Sequence, residues 1–346
     1  MEDFIIRETD AVLIGTHSEE EVSHLDVYVY EEDQDNLYVH HDILLPTFPL
    51  CLTWLDYHPG NEEKKGSLVA VGTFEPEIEL YDLDTIGLVQ PTLTLGGYKK
   101  SKKKNKELKE NSHSDSIMSL CWNSNVRTVI ASGSADCTIK VWDIEKKTCL
   151  TTLSHHTDKV QCVQWHNKEA AILLSGSYDK HCAVLDPRFP NAVNKVATTS
   201  EIESVCWDFH NTNQFMVSGE DGIVNSFDIR NLNKPVWTLS AHNKAVSSVK
   251  CNPILPNLIA TGSLDKSIKL WDISEQYPKL LTTIRTNVCI LLLLLSLIFT
   301  NKNNFSLGYF RYHFTPHHRF YWQQEDKIKI TVKILQIDFM FTIHLH

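Results

Sequence analysis

This sequence predicts an all-β chain assembled from about six copies of one four-stranded unit, and three observations carry that prediction. The first is a period: Asp143, Asp186, Asp228 and Asp272 recur at intervals of 43, 42 and 44 residues. The second is a fixed spacing inside the period. His113–Asp136, His156–Asp179 and His242–Asp265 are each 23 residues apart, and Asp136–Asp143, Asp179–Asp186, Asp221–Asp228 and Asp265–Asp272 are each seven apart. The third is strand chemistry. In the repeat that closes on Asp143, the segments IMSLCW (117–122), TVIASGS (128–134), TIKVWDI (138–144) and CLTTLS (149–154) are β-branched and apolar, with polar breakers between them. A period of this length whose strands end on Trp-Asp reads as one blade of a β-propeller, with the blades set radially.

Taken in order, TDAVLIGT (9–16), LDVYVY (25–30) and LYVHHDILL (37–45) read as three strands of an imperfect first blade. Glu19-Glu20-Glu21 and Glu31-Glu32-Asp33 read as solvated turns between them. His40 and His41 are neighbours on a predicted strand, so alternation puts them on opposite faces and argues against a shared metal. Residues 48–95 form the next blade, with Trp54 on its first strand, LVAVGTF (68–74), IELYDLD (78–84) and Tyr81-Asp82 at the Trp-Asp position. GGYKKSKKKNKELKENS (96–112) is an insertion almost without apolar content, expected to be a mobile, solvated loop between blades. The blade of His113 to Asp143 follows, then repeats at 156–198, 200–240 and 242–284. The propeller is therefore expected over residues 1–284. Residues 285–346 form an aberrant hydrophobic and polar tail outside it, in which no Trp-Asp and no His–Asp spacing continues. Its apolar run, Val288 to Phe299, is shorter than the roughly 20 residues of a membrane-spanning helix. His313, His317 and His318 are loosely spaced there and are not read as a metal site.

The repeats resemble WD40 repeats, and the resemblance implies a hydrogen-bonded brace in each blade. It assigns His113, Ser132, Asp136 and Trp142 to the first brace and His242, Thr261, Asp265 and Trp271 to the last. Between them, His156, Ser175 and Asp179 are kept with Leu185 at the Trp position. The other eroded copy has Ser200 near the His position, then Ser218, Asp221 and Phe227. Two full networks and two eroded ones are expected, and such a network stabilises only when every member is satisfied. A Ser, His and Asp trio also suggests nucleophilic catalysis. Here the trio recurs once per repeat and is joined to a Trp, which suits a brace and not a single active site.

The net charge of −10 argues against general nucleic-acid affinity, but charge is uneven. Residues 1–46 hold thirteen acids and one base, Arg7, whereas Lys99, Lys100, Lys102, Lys103, Lys104, Lys106 and Lys109 crowd one loop. That run reads as a nuclear-targeting loop for an import receptor, with weak rRNA contact second. Nine cysteines show no CxxC pair, and Cys121, Cys162, Cys206 and Cys251 fall on the first strands of successive repeats as small buried residues. No secretory signal opens the chain, so the expected setting is reducing and intracellular. No catalytic set, cofactor site or metal site is read.

NLYVHHDILL (36–45), AVGTFEPEIELYDLD (70–84), the lysine-rich insertion, HTDKVQ (156–161), LLSGSYDK (173–180) and the last repeat through Trp271-Asp272 together resemble the periodic tryptophan protein 1 family. The resemblance covers roughly residues 3–284. It implies a non-enzymatic WD40 scaffold of nucleus and nucleolus, acting in ribosome biogenesis through pre-rRNA processing and rDNA chromatin, with assembly factors or histones as partners and no membrane. Family members carry a long acidic region before the first blade and a further repeat after the Trp271-Asp272 equivalent, so this chain shows about six of seven expected blades. In WD propellers the turns that carry the repeat His and Asp lie beside the usual docking surface; Asp115, Asp158, Tyr178, Glu201, Glu220 and Lys244 flank them here. The competing function is a cytoplasmic WD40 adaptor, such as a ubiquitin-ligase substrate receptor or signalling scaffold.

Overall fold

In a computed structural model, described over residues 6–7, 10–19, 22–31, 34, 36–60, 65–99, 107–275, 277–285 and 344–345, the chain is a six-bladed β-propeller. Among these residues there is no α-helix, and no helix long and apolar enough to cross a membrane. Blade 1 has β1 (Ala11–Glu19), β2 (Val22–Glu31) and β3 (Asn36–Leu45); blade 2 has β4 (Pro49–Leu55), β5 (Leu68–Thr73), β6 (Glu77–Asp82) and β7 (Leu93–Gly96). Blade 3 has β8 (Ile117–Trp122), β9 (Val129–Ser134), β10 (Ile139–Asp143) and β11 (Thr148–Leu153). Blade 4 has β12 (Val160–Trp165), β13 (Leu173–Ser177), β14 (His181–Leu185) and β15 (Val193–Ala197). Blade 5 has β16 (Ile202–Trp207), β17 (Gln214–Gly219), β18 (Ile223–Asp228) and β19 (Trp237–Ser240). Blade 6 has β20 (Ser248–Cys251), β21 (Leu258–Ser263), β22 (Ser267–Asp272) and β23 (Lys279–Arg285). Each of blades 2 to 6 is a four-stranded antiparallel meander. Of residues 285–346, β24 (His344–Leu345) pairs with β1 as the fourth strand of the first sheet. Val288 to Phe299 and His313, His317 and His318 lie outside the described residues.

The core is a set of apolar layers between blades. Leu55, Leu80 and Leu95 of blade 2 meet Ile117, Ile130 and Trp142 of blade 3; Val160 and Trp165 of blade 4 meet Ala131 and Val141 of blade 3. Equivalent layers join blades 4 to 5, 5 to 6 and 1 to 2. The first strands β4, β8, β12, β16 and β20 lie side by side in succession. Their edge N–H groups need acceptors, and side chains of the preceding blade supply them. Trp165 N–H donates to Cys121 Sγ at 3.3 Å, Val163 N–H to Ser119 Oγ at 3.1 Å, Trp207 N–H to Gln164 Oε1 at 2.9 Å and Cys251 N–H to Cys206 Sγ at 3.3 Å. These thiols therefore hold strand edges as well as filling space.

Two local expectations are corrected. In β3 a bulge opposite Val27 and Tyr28 inserts one residue and breaks the alternation, so His40 Nδ1 and His41 Nδ1 come within 2.8 Å instead of facing apart. In the insertion, Tyr98 pairs with Leu108, Lys99 N–H bonds Glu107 O and Lys109 N–H bonds Gly97 O, so its base is a short hairpin and not free loop.

Candidate functional site

The end of the propeller that carries the His–Asp pairs is built the same way in blades 3 to 6. A backbone bond ties the turn after the second strand to the segment before the first: Ala135 to Ser116, Tyr178 to Lys159, Glu220 to Glu201 and Leu264 to Ala245, all within 3.1 Å. The residue after each turn Asp is left-handed, namely Cys137, Lys180, Gly222 and Lys266. The Asp carboxylate holds that turn by accepting the N–H two residues on, from Thr138, His181, Ile223 and Ser267.

In blade 3, His113 Nδ1 lies 2.8 Å from Asp136 Oδ2, His113 Nε2 lies 2.8 Å from Ser132 Oγ, and Trp142 Nε1 donates to Ser132 Oγ at 2.8 Å. An indole only donates, so Ser132 accepts from it, while the Ser132 hydroxyl has His113 Nε2 at 2.8 Å and Lys140 O at 3.4 Å as neighbours. A neutral imidazole with its proton on Nδ1 toward Asp136 suits this set, with Ser132 facing the bare Nε2. Blade 6 repeats the chain with His242, Asp265, Thr261 and Trp271 at 2.8 to 2.9 Å. Blade 4 keeps His156 with Asp179 and Ser175, both at 2.9 Å. Leu185 has no donor, and His155 Nε2 approaches Ser175 Oγ at 3.3 Å in its place, its ring 4.4 Å from that of His156.

Blade 5 requires a correction. The register opposes Val217 to Asn225 as Ser132 opposes Lys140, so Val217 and not Ser218 occupies the brace position. Ser218 is one residue further on and faces the other way, where its hydroxyl donates to Ser204 O at 3.3 Å. Counting back from the Glu220–Glu201 bond, Thr198 and not Ser200 stands at the His position, and Asp221 accepts from the Thr199 hydroxyl at 2.6 Å. Val217 packs with Phe227, so this blade is braced by apolar contact. Blade 2 follows the same plan with Val71 and Tyr81.

These groups titrate as a brace should. Burial lowers the pKa of His113, His156 and His242 below the usual 6.5, against the pull of their Asp partners, and burial with the neighbouring His156 pushes His155 down to about 4. Burial works to raise Asp136, Asp179 and Asp265, but hydrogen bonds from the paired histidines, from backbone N–H groups and, for Asp136 and Asp265, from Thr138 and Ser267 hydroxyls carry them below the usual 3.8. A lowered folded-state His pKa means the unfolded chain takes protons first. That stability is full above 6.5 and falls as pH drops toward the folded values. The depressed carboxylates add stability above 3.8 that is lost as pH falls through their folded pKa. The brace groups therefore act to lower the melting temperature from about pH 7 to about pH 4, against Asp26, Glu79 and Glu203, whose burial raises their pKa values and whose protonation favours the folded chain. A scanning-calorimetry series in which His113→Gln leaves the pH dependence of the melting temperature unchanged would refute the neutral-histidine arrangement.

The residues flanking the turns share this face. Asp115, Asp158, Glu220 and Lys244 are exposed, and Tyr178 and Glu201 half-buried. The Tyr178 hydroxyl donates to Glu203 Oε1 at 2.8 Å, and the Lys159 ammonium sits 3.7 Å from the centre of its ring. Burial, with Glu203, Glu201 and Glu220 adding to it, raises the Tyr178 pKa, and burial raises that of Glu203. Sequence reasoning missed Lys159 and Glu203; a carboxylate inside the apolar strand IESVCW was the signal available. The lysine hairpin is rooted here too, since Ser112 Oγ bonds Pro76 O and Gly97 N–H bonds Ser112 Oγ. Lys99 pairs with Glu107 at 3.1 Å and Lys109 donates to Gly96 O at 2.6 Å, so these two are engaged, whereas Lys100, Lys102, Lys103, Lys104 and Lys106 lie outside the described residues. Among the described residues no group of His, Cys, Asp and Glu could hold a metal ion.

The chain matches the family model "WD domain, G-beta repeat" at residues 104–143, 147–186 and 233–272. These are blades 3, 4 and 6, the blades with a His–Asp pair. It is 46% identical to a WD repeat-containing protein of Schizosaccharomyces pombe over 82% of this chain and 56% of that protein. It is 34% identical to "Periodic tryptophan protein 1 homolog" of Drosophila melanogaster over 78% of this chain and 59% of the relative. It is also 34% identical to "Periodic tryptophan protein 1" of Saccharomyces cerevisiae over 76% of this chain and 54% of the relative. The chain thus spans little more than half the length of these curated relatives.

Proposed function

Because the chain belongs to the periodic tryptophan protein 1 family of WD-repeat proteins, we propose that it is a non-enzymatic scaffold of the nucleus and nucleolus that holds ribosome-assembly factors or chromatin proteins on its turn face, in the service of pre-rRNA processing. The observation that carries the reading is the distribution of chemistry on that face. Its His, Ser and Asp groups are consumed in repeated braces, while Asp115, Asp158, Tyr178, Glu201, Glu220 and Lys244 stand around them within reach of a partner. A large folded surface of this kind is suited to binding proteins. The test is the set of proteins that co-purify with the tagged full chain, and its location. Tyr178→Ala with Glu220→Lys is expected to remove part of that set while leaving the fold intact. An unchanged set puts the docking surface elsewhere, and exclusion of the wild-type chain from nuclei would favour the cytoplasmic adaptor.

The lysine run supports a second part of the proposal. Its hairpin base, Tyr98 paired with Leu108, belongs to the propeller, and clustered lysines in the sequence between suit an import receptor first and an rRNA backbone second. Changing Lys102, Lys103, Lys104 and Lys106 to Gln is expected to abolish nuclear entry, and a foreign import signal is expected to restore both entry and rRNA processing. Entry restored with processing still defective would assign the loop to the pre-ribosome. Unaided entry with normal processing would reject both roles.

A further inference from the structure

The turn face is chemically divided. The residue one place before the turn Asp position is Phe74 in blade 2, Ala135 in blade 3, Tyr178 in blade 4 and Glu220 in blade 5. Phe74 is 59% exposed and its ring lies 5.7 Å from that of Phe48. An aromatic ring left open to water on a tight turn, against the half-buried Phe48 of the β3–β4 connection, contributes little to the core that the same chain builds between its blades. The pair is continuous with the acidic side of the face, because Phe74 O accepts from Ser116 Oγ at 3.2 Å and Ser116 is bonded to Asp115. From there the face carries Asp115, Asp158, Glu201, Glu203 and Glu220, with Tyr178 among the last three. The ring of Tyr178 is already used as a cation platform. The Lys159 ammonium lies over it, next to the Glu203 carboxylate that the Tyr178 hydroxyl orients. Half-burial of Tyr178 strengthens attraction to a cation there relative to one in open water. The carboxylates of blades 3 to 5 would repel a phosphate backbone, whereas the lysine hairpin is rooted at the blade 2 end of the face, so the acidic part of the face suits a polypeptide and not a nucleic acid.

We propose that the turn face of blades 2 to 5 docks a basic polypeptide segment with one large apolar side chain. The apolar side chain seats on Phe48 and Phe74, and lysine or arginine side chains take the place of the Lys159 ammonium over Tyr178 and among Glu201, Glu203 and Glu220. This rests on the reading of the turn face as the docking surface and names the chemistry of its partner.

The probe is a fluorescein-labelled peptide of about ten residues, which extends over about 33 Å, made of Lys, Arg and Ser with one central Phe. Anisotropy with the full chain should show saturable binding that weakens as salt rises. Phe74→Ala, and separately Glu203→Gln with Glu220→Gln, should each weaken it about tenfold or more, with the melting temperature measured for each variant as a check on folding. A peptide with Ala for its Phe should bind more weakly and lose its sensitivity to Phe74→Ala. Binding that is absent, or that ignores both sets of substitutions, overturns the inference. So does salt-dependent self-association of the chain that Phe74→Ala abolishes, which would give the face to a second copy. If Tyr178→Ala with Glu220→Lys strips the co-purified proteins while the peptide fails to bind, the docking reading stands and this partner chemistry is wrong.

Discussion

Truncating Trp142 to Ala is expected to cost about 3–5 kcal/mol, the range for a large aromatic removed from a packed core. The indole is 2% exposed and serves two blades at once. It packs with Ile130 and Ile144 in its own blade and with Leu95 of blade 2. It comes so close to the end of β7 that a Cβ at Gly96 would lie 3.1 Å from its Cη2. Its N–H also donates into the chain of Ser132 and His113. Ala would leave a cavity between blades and an unmatched Ser132. Trp142→Phe keeps most of the apolar contact and loses only the donor, so about 1 kcal/mol is expected. Equilibrium denaturation with parallel thermal melts separates the two. Equal losses for Ala and Phe would mean that the hydrogen bond, and not the shared packing, is what the Trp supplies. A loss below about 1 kcal/mol for Ala would mean that the layer between blades 2 and 3 closes without it.

Asp136→Ala is the second large effect, at about 3 kcal/mol, the upper end for buried partners left unmatched. One carboxylate accepts from His113, the Ser114 N–H, the Thr138 N–H and the Thr138 hydroxyl. Removing it strands the proton of a fully buried imidazole and frees a turn whose next residue, Cys137, is left-handed at φ 65°. Asp221 is the internal control. It accepts from Thr199 and the Ile223 N–H with no buried histidine behind it, and the left-handed residue is Gly222. Asp221→Ala is therefore expected to cost about 1 kcal/mol. The Asp136 variant should also lose part of the acid sensitivity of the melting temperature. If it melts like the wild type but loses bound proteins, Asp136 is a partner contact and not a brace.

The relation between blades 3 and 5 explains why one eroded copy could be misread. The Asp221 to Asp228 spacing preserves the turn and the third strand, so the blade is legible. That Ser218 stands outside the brace was countable in the sequence, since Ser132, Ser175 and Thr261 each precede the turn Asp by four residues and the residue four before Asp221 is Val217; strand pairing shows where the Ser218 hydroxyl goes instead. A shift of one residue puts Val217 on the brace side and sends the Ser218 hydroxyl to Ser204. In blade 4 the absence of a Trp was legible at Leu185, but not that His155 would come round to Ser175. The sequence pattern shows what is missing from a network; it does not show which neighbour fills the space.

By itself the sequence determined the repeat, the strands, the His–Asp spacing and the propeller. Each depends on residues within one repeat, where alternation and turn chemistry act over a few positions and leave a periodic trace. Tertiary structure alone decided the rest. The bulge that brings His40 to His41 depends on pairing between β2 and β3. The hairpin that engages Lys99 and Lys109 depends on the pairing of Tyr98 with Leu108 across a loop without a turn signature. The thiols of Cys121 and Cys206 acquire their acceptor role only when the next blade presents an N–H some 44 or 45 residues away. The Phe48–Phe74 pair, the acidic residues and the Tyr178 platform come from separate blades. No local pattern in the chain links them, because what puts them on one face is the closure of blade on blade through buried apolar layers.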